Sequence, residues 1–239
     1  MAPATDPSNL PANRLLRKLA PADLALLSPH LEPVALKRRQ VLERPNRPIT
    51  HLYFVEQGIA SVATPMDKNV LVEIGLIGRE GVTGLAVILG SSTSPHSTFV
   101  QVAGSARRIA VKPMREALGG SQGLQNLMLR YAHCFMAQTA HNAVANARGT
   151  IARRLARWLL MASDRVDGDS IVLTHEFLAV MLGTRRPGVT VAMHDLSKLG
   201  LIRNGRGAVA LLDRDGLLAH AGDLYGTPET EYRRQIGNA

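Results

Sequence analysis

The chain has 239 residues, of which 46% are hydrophobic and 20% are charged, a composition typical of a soluble globular protein with room for two domains. It has no apolar run of the roughly 18 residues that cross a membrane, no pattern of a secretory signal at its start, and one cysteine, Cys134, which excludes a disulfide framework and fits a reducing cytoplasm. The net charge of +9 favours a polyanionic partner but does not identify it.

The first 111 residues contain three kinds of segment. Residues 1–14 are rich in proline, asparagine and serine, which predicts a disordered tail. Leucines at helical spacing in residues 15–31 predict short helical pieces that are broken at Pro21 and Pro29. From residue 33 to 111, short apolar or alternating runs alternate with turn residues, which predicts an antiparallel sandwich or jelly roll.

One long helix is predicted from Ser121 onward. A seam of residues at alternating steps of four and three runs along it, formed by Leu124, Met128, Tyr131, Phe135, Gln138, Asn142 and Ala145. The seam either packs on the β domain of its own chain or pairs with the same helix of a second chain. We favour the second interpretation, in which Gln138 and Asn142 would set the register or contact a ligand.

A winged helix-turn-helix is predicted after Gly149. An amphipathic segment carries three arginines on its polar side, Arg153, Arg154 and Arg157. Thr174 then caps the helix HEFLAVML, Gly183 ends it, and a second helix runs to Gly200. The segment LIRNGRGAVALLD predicts two strands joined by a turn at Asn204–Gly205. A helix pair followed by a two-stranded wing is typical of DNA-binding domains, and the arginine-rich segment adds to that indication.

The start of the second helix holds a proline and a glycine, the two poorest helix formers. If Thr184 is the N-cap, then Arg185, Arg186 and Pro187 occupy the first turn, where the missing N–H of proline costs little. We expect Gly188 to permit a close approach of its backbone to DNA or to the preceding helix. Base edges are predicted to be read by Arg185, Arg186, Thr190, Val191 and His194, and phosphates to be bound by Thr150, His175, Lys198, Arg203 and Arg206.

The order of these parts resembles the CRP/FNR family of bacterial transcription regulators. The resemblance rests on LYFVEQGIASV, on the long seam helix and on LTHEFLAVMLGTRRPGVTVAMHDLSKLGLI, and it runs from about Leu15 to Asp213. It implies an α+β protein with a cyclic-nucleotide-binding-like β-roll at 15–118, a dimerisation helix at 119–147 and a winged helix-turn-helix at 148–239. It further implies a homodimer on a palindromic promoter site with half-sites one helical turn apart, with RNA polymerase as a candidate partner.

The phosphate-binding cassette of the family departs from its pattern here. Members that bind cyclic AMP carry a glutamate and an arginine, where this chain has Leu85 after Gly84 and His96 before Ser97. A neutral imidazole cannot form the guanidinium fork on a phosphate, so we expect no cyclic AMP binding of the usual kind. The predicted ligand pocket comprises Gly84, Leu85, His96, Ser97, Thr98, Phe135 and Gln138, with an unknown effector.

Three alternatives stay open at this point. One cysteine cannot hold an iron–sulfur cluster, whereas a haem could still be held by His51, His96 or His141. A signalling module that binds a nucleotide or small molecule without DNA is a second alternative. A jelly-roll metalloenzyme is a third, although the histidines of the β region show no ligand spacing.

Overall fold

The computed structural model describes residues 11–67, 70–168, 170–205 and 207–237. The chain begins with α1 (Arg14–Arg17) and α2 (Pro21–Leu27), followed by a 3₁₀ turn at Ser28–His30. Pro21 starts a helix rather than breaking one, because the first helical N–H has no partner to lose. The predicted tail falls mostly outside the described residues, but its last part is ordered. Buried Asn13 caps α1 and donates from its amide to the carbonyls of Val55 and Gly81 at 2.7 and 2.8 Å.

Five antiparallel strands form the predicted β-roll. They are β1 (Glu32–Leu36), β2 (Val41–Glu43), β3 (His51–Asp67), β4 (Val70–Ile77) and β5 (Ser97–Ala110), with the short helix α3 (Leu85–Ile88) before β5. β5 lies between β1 and β3, β2 also pairs with β5, and β4 forms the edge beside β3. The two long strands bend where their register shifts between Val55 and Ala60. A Cβ on Gly104 would lie 2.1 Å from the Gln57 carbonyl oxygen, so only glycine fits this bend.

The long seam helix packs on its own β-roll. After α4 (Val111–Gly120), α5 spans Gln122–Arg148. The Gln138 side chain accepts from the Leu76 N–H at 2.6 Å and donates to the Leu76 carbonyl at 3.2 Å, and Asn142 donates to the Ile74 carbonyl at 2.8 Å. The favoured interpretation of the predicted seam, pairing with a second chain, is therefore wrong. An exposed sheet edge offers unpaired backbone groups, and the two amides of the seam satisfy those of β4.

The C-terminal unit contains the predicted helix pair and wing. Its elements are α6 (Ile151–Ser163), β6 (Ser170–Val172), α7 (His175–Met181), α8 (Arg186–Lys198), β7 (Ile202–Gly205), β8 (Ala208–Leu211) and α9 (Arg214–Ala221). The three strands form an antiparallel sheet in the order β6-β8-β7. Buried apolar side chains of α6, α7 and α8 share one core that includes Leu159, Leu178 and Met193. This core holds one face of α8 and leaves its opposite face exposed.

The last helix returns to the first domain. α10 spans Thr227–Ile236, and its Tyr232 and Ile236 join the apolar cluster that contains Leu15 and Tyr131. The Tyr232 hydroxyl also donates to the Glu80 carbonyl at 2.8 Å. The sequence carried no clear signal for this contact, which ties the end of the chain to the β-roll. None of the helices in the described parts of the chain is both long and apolar enough to cross a membrane.

Candidate nucleic-acid interface and β-roll pocket

Local capping signals set the ends of the helix pair. Thr174 caps α7 and accepts from the Phe177 N–H at 3.3 Å, as predicted. Gly183 follows α7 with φ +54°, a left-handed conformation that glycine adopts without steric cost. α8 begins one residue later than predicted, because Arg185 rather than Thr184 is the N-cap, and Pro187 is the second helical residue. Proline remains in the first turn, where its missing donor is not needed.

The glycine behind the proline allows close helix packing. A Cβ on Gly188 would lie 2.8 Å from Ile151 Cδ1 and 3.3 Å from Thr184 Oγ1. Ile151 is the first residue of α6, so α8 approaches α6 at a position where no side chain of α8 intervenes. Glycine at a helical position costs stability relative to alanine, and this close packing of α8 on α6 explains why Gly188 is present. A close approach to DNA is not needed to explain it.

The predicted base-reading residues share the exposed face of α8. Arg185, Arg186, Thr190, Val191 and His194 are all exposed, while Val189, Ala192, Met193 and Leu196 are buried on the other face. Val191 is 61% exposed, which is unusual for a branched apolar side chain. Within the residues that the structure describes, Arg185 and Arg186 form no ion pair. Their guanidinium groups are therefore free for an external anion.

A chain of hydrogen bonds joins the wing to α8. Thr190 Oγ1 donates to the Arg186 carbonyl at 3.1 Å, and His175 Nδ1 lies 3.2 Å from the same Thr190 oxygen. Because the hydroxyl proton is used, His175 must donate from Nδ1, and its Nε2 then accepts from Asn204 Nδ2 at 3.2 Å. Both ring nitrogens are engaged inside the domain. His175 thus makes a positioning contact between α7, α8 and the wing, while its contact with a phosphate stays a prediction.

The wing turn lies further along the chain than predicted. The ladder of β7 and β8 continues to the pair Gly205 and Ala208, so the turn lies beyond Gly205 and includes Gly207, rather than falling at Asn204–Gly205. Gly207 has φ +78°, as such a tight turn requires. Arg203 is exposed on β7, and Arg206 lies outside the described residues. A groove of about 580 Å³ between α8 and β7 brings together His175, Thr190, His194 and Arg203.

The two remaining predicted phosphate ligands lie at helix ends. Thr150 is exposed and caps α6, accepting from the Arg153 N–H at 3.3 Å, and Lys198 is exposed in the last turn of α8. A helix N-terminus favours an anion, which suits Thr150.

The arginine-rich segment of α6 binds inside the protein. Arg153 bonds the Asp223 carboxylate at 2.5 Å, and Arg154 donates to the Leu182 carbonyl. Arg157 is buried and donates to the Leu224 carbonyl at 2.7 Å. The prediction that this segment indicates DNA binding was therefore wrong, because its guanidinium groups bind to other groups of the protein and stabilise the domain.

The β-roll cassette is filled by a side chain of the protein itself. Gly84, with φ +77°, donates its N–H to Glu43 Oε1 at 2.8 Å, and the hydroxyls of Thr83 and Thr98 bond the same carboxyl. Ser97 Oγ lies 3.4 Å from the Glu43 carbonyl. Burial raises the pKa of Glu43. A carboxyl of the chain itself thus takes up the donors of the stretch that the resemblance predicted to bind a phosphate, and sequence reasoning missed this residue.

The other predicted pocket residues lie in separate places. His96 Nδ1 lies 2.9 Å from Thr64 Oγ1, and burial lowers the pKa of His96, which favours the neutral form of the ring. Leu85 packs on the apolar cluster of the β-roll. A Cβ on Gly75 would meet the Phe135 ring at 2.6 Å, so Phe135 and Gln138 lie against β4. Among the described residues there is no group of three or more histidine, cysteine or acidic side chains placed to hold a metal ion.

Comparison with known proteins shows what this arrangement is similar to. Residues 153–220 match the family described as the Crp-like helix-turn-helix domain. FixK2 from Bradyrhizobium japonicum is similar in structure with a TM-score of 0.69 and 16% identity, covering 80% of this chain and 98% of that chain. A CRP-family transcriptional regulator from Thermus thermophilus gives 0.65 and 19%, covering 80% and 96%. No curated protein sequence matches this chain.

A third similar structure is the c-di-GMP responsive global regulator CLP from Xanthomonas campestris, with a TM-score of 0.62 and 18% identity over 80% of this chain and 99% of that chain. The metalloenzyme interpretation has no counterpart among these three proteins. The resemblance predicted from the sequence is confirmed by the match of the helix-turn-helix and by the fold. Residues 153–220 therefore form a Crp-like helix-turn-helix domain, and the chain shares its fold with these three CRP-type regulators.

Proposed function

We propose that the protein binds a palindromic double-stranded DNA site as a homodimer and does not respond to cyclic AMP. The exposed face of α8 carries this proposal, since it combines two arginines that form no ion pair with any described residue with an exposed apolar residue, Val191. A helix with this face is suited to the major groove, where arginine pairs with guanine and an apolar side chain can contact the thymine methyl. RNA polymerase is the partner we propose for the bound regulator.

Each residue of the surface has a proposed role. Arg185 and Arg186 read base edges, together with Val191 and His194. The Thr190 oxygen is bonded within the domain, so Thr190 would offer its methyl group rather than its hydroxyl to a base. Phosphates are bound by the exposed side chains of Thr150, Lys198 and Arg203 and by Arg206.

The dimer would form through the exposed side of α5. That side has its own seam at alternating steps of four and three, and it includes Leu129, His133, Met136, Ala140, Ala143 and Ala147. Leu129 is 41% and Met136 is 63% exposed, whereas the seam predicted from the sequence is covered by the β-roll. Small residues at three positions allow two helices to pack closely along this face, with the apolar side chains covered by the partner copy.

The Glu43 carboxyl supports the proposed indifference to cyclic AMP. It accepts the Gly84 N–H, and Leu85 and His96 supply neither the carboxylate nor the guanidinium of the usual cassette. A cyclic phosphate entering here would have to displace a buried carboxyl and would gain no cationic partner from His96, whose pKa is lowered. We expect no saturable binding of cyclic AMP.

Selection of bound sequences from random duplexes tests the proposal. We expect a palindrome with half-sites about 10 base pairs apart, bound more weakly as salt rises. Binding without sequence preference would refute the proposed recognition by α8.

The oligomeric state is tested on the exposed seam of α5. The variant Met136→Glu, which puts a charge on that seam, should give a monomer by sedimentation and lose most of its affinity for the full site. The matched control is Leu26→Glu, which puts the same charge at another exposed apolar position, in α2. It should leave both the dimer and the affinity unchanged. A dimer that persists in Met136→Glu would contradict the proposed interface.

A further inference from the structure

We propose that a cavity between the β-roll and the C-terminal unit, separate from the cassette, binds a small planar anion and thereby alters DNA affinity. The cavity measures about 440 Å³. This volume lies within the range of roughly 300–1,000 Å³ that is usual for sites of small ligands. The effect on DNA, though not the binding itself, rests on the proposed function.

Six parts of the chain contribute to the walls of this cavity. α1 and the turn after β4 contribute Arg14 and Glu80, and α5 contributes Tyr131 and Phe135. The end of α6, α9 and α10 complete the walls, with Arg214 among their lining residues. A ligand here would therefore touch the β-roll, the long helix and the unit that carries α8.

Aromatic rings with fixed positions line the cavity. Tyr131 is buried, and the Tyr225 hydroxyl donates to Asp164 Oδ2 at 2.5 Å. Tyr232 is held by its bond to the Glu80 carbonyl at 2.8 Å. Rings that are already held in place lose little freedom when a flat ligand packs on them, so the walls favour an aromatic or heteroaromatic group.

The carboxylates of the cavity already have partners. Glu80 pairs with Arg165 at 2.7 Å, Asp164 pairs with Arg214 at 2.7 Å, and Glu229 accepts the Gly226 N–H at 2.9 Å. The arginines neutralise Glu80 and Asp164, whereas Glu229 keeps its charge and accepts one backbone hydrogen bond. Among the described lining residues, Glu229 is therefore the one acid without an ion pair.

Two arginines of the lining have no acidic partner among the described residues. Within residues 11–67, 70–168, 170–205 and 207–237, neither Arg14 nor Arg233 makes an ion pair, and Arg233 bonds only the neutral Thr230 hydroxyl, at 2.9 Å. Guanidinium groups form paired hydrogen bonds with carboxylate and phosphate groups. The cavity thus suits a ligand with a flat ring and one such anionic group, which an aromatic acid and a nucleotide both have.

Fluorescence titration with 8-anilinonaphthalene-1-sulfonate tests the site, with the uncharged N-phenyl-1-naphthylamine as the matched probe. We expect the sulfonate to bind at one site per chain and to bind at least about tenfold more weakly to the double variant R14Q/R233Q. The control R17Q/R234Q removes two exposed charges from the same helices outside the cavity and should leave binding unchanged. The uncharged probe should bind both variants alike. Equal sulfonate binding by both double variants would overturn the proposal.

Displacement of the bound sulfonate by competing anions identifies the class of ligand that the cavity binds. Displacement by adenosine 5′-monophosphate assigns the site to nucleotides, displacement by salicylate assigns it to aromatic acids, and displacement by neither contradicts the proposal. If the double variant unfolds, R14Q and R233Q are tested singly, and full sulfonate binding by both single variants would again overturn it.

The regulatory part has its own readout. The displacing anion should change the affinity for the selected duplex, by linkage. An unchanged DNA affinity would refute the regulatory part alone. Failure to bind any duplex would refute the proposed function instead, while the titration would still decide the site.

Discussion

The exposed arginines of α8 and the buried carboxyls of the β-roll show opposite uses of charge. Arg185 and Arg186 lie in solvent without an ion pair among the described residues, so their charge is available to a ligand at little cost in desolvation. Glu43 and Glu73 are buried, and each is hydrogen-bonded by several groups of the protein. The contrast supports the proposed use of the first pair in recognition, whereas the second pair holds the structure together.

Glu73 is the clearest case on the buried side. Trp158 Nε1 of α6 donates to Glu73 Oε1 at 2.9 Å, and Ser61 Oγ lies 2.7 Å from Glu73 Oε2. Ser61 thus donates to the Glu73 carboxyl and also contacts the side chain of Gln101, which is buried beside it. Burial raises the pKa of Glu73 to about 8, in agreement with a protonated carboxyl that joins the β-roll to α6.

The largest expected effect is the dependence of stability on pH. Because the folded pKa of Glu73 is about 8 and its ordinary value is 4.5, its contribution is fully present below pH 4.5 and is lost as pH rises through 8. We expect the free energy of unfolding in urea to fall by several kcal/mol over this window. Glu73→Gln, which keeps a neutral group of similar shape, should flatten most of that fall. Glu116→Gln, at an exposed position, should keep the full slope, and the same slope in both variants would contradict a neutral Glu73.

The carboxyl in the cassette should matter almost as much for stability. Glu43→Ala leaves the Gly84 N–H and the Thr83 and Thr98 hydroxyls without their acceptor. Each buried donor left unpaired costs about 1–3 kcal/mol, so we expect a loss of about 3 kcal/mol in urea unfolding below pH 6. Glu116→Ala should change stability by less than about 0.5 kcal/mol. Calorimetric titration with cyclic AMP should show no binding to either protein, and a gain of affinity in Glu43→Ala would show that Glu43 alone blocks the cassette.

On the exposed side, Arg186→Ala should weaken the selected site by about 1–3 kcal/mol and relax the preference at one base position. Its thermal stability should stay unchanged, because the side chain has no ion pair to lose among the described residues. Fluorescence anisotropy with the selected duplex and with single-base variants measures the change in affinity and in preference. Arg17→Ala, an equal loss of charge in α1, is the control. Equal loss on every sequence would make Arg186 a phosphate contact rather than a reader of bases.

Local signals in the sequence predicted more of this molecule than long-range ones. The Thr174 cap and the Gly183 end depend only on neighbouring residues, and the structure places them as predicted. The face of α5 could not be predicted in the same way, because two heptad-like seams share the helix and only tertiary packing decides which one the β-roll covers. Glu43 was missed because a single glutamate at the end of a short strand has no spacing that marks it.

The wing shows the same limit within one hairpin. An Asn-Gly pair is a strong turn signal, yet Asn204 and Gly205 continue β7. Asn204 is held in the strand by its bond to His175, a contact between residues far apart in sequence. The hairpin itself could therefore be predicted from local residues. The choice between two glycine-containing turns depended on tertiary structure, and Gly207 provides the turn that is used.

The smallest expected effect tests the hydrogen-bond chain from Asn204 through His175 to Thr190. His175→Ala and Thr190→Val each break this chain, and each should weaken binding to the selected duplex by about 1 kcal/mol. If both act only by positioning α8 against the wing, the double variant should lose about as much as either single variant. Losses that add in the double variant would mean that the two side chains contact DNA independently. His30→Ala, at an exposed site in the first domain, should leave the affinity unchanged.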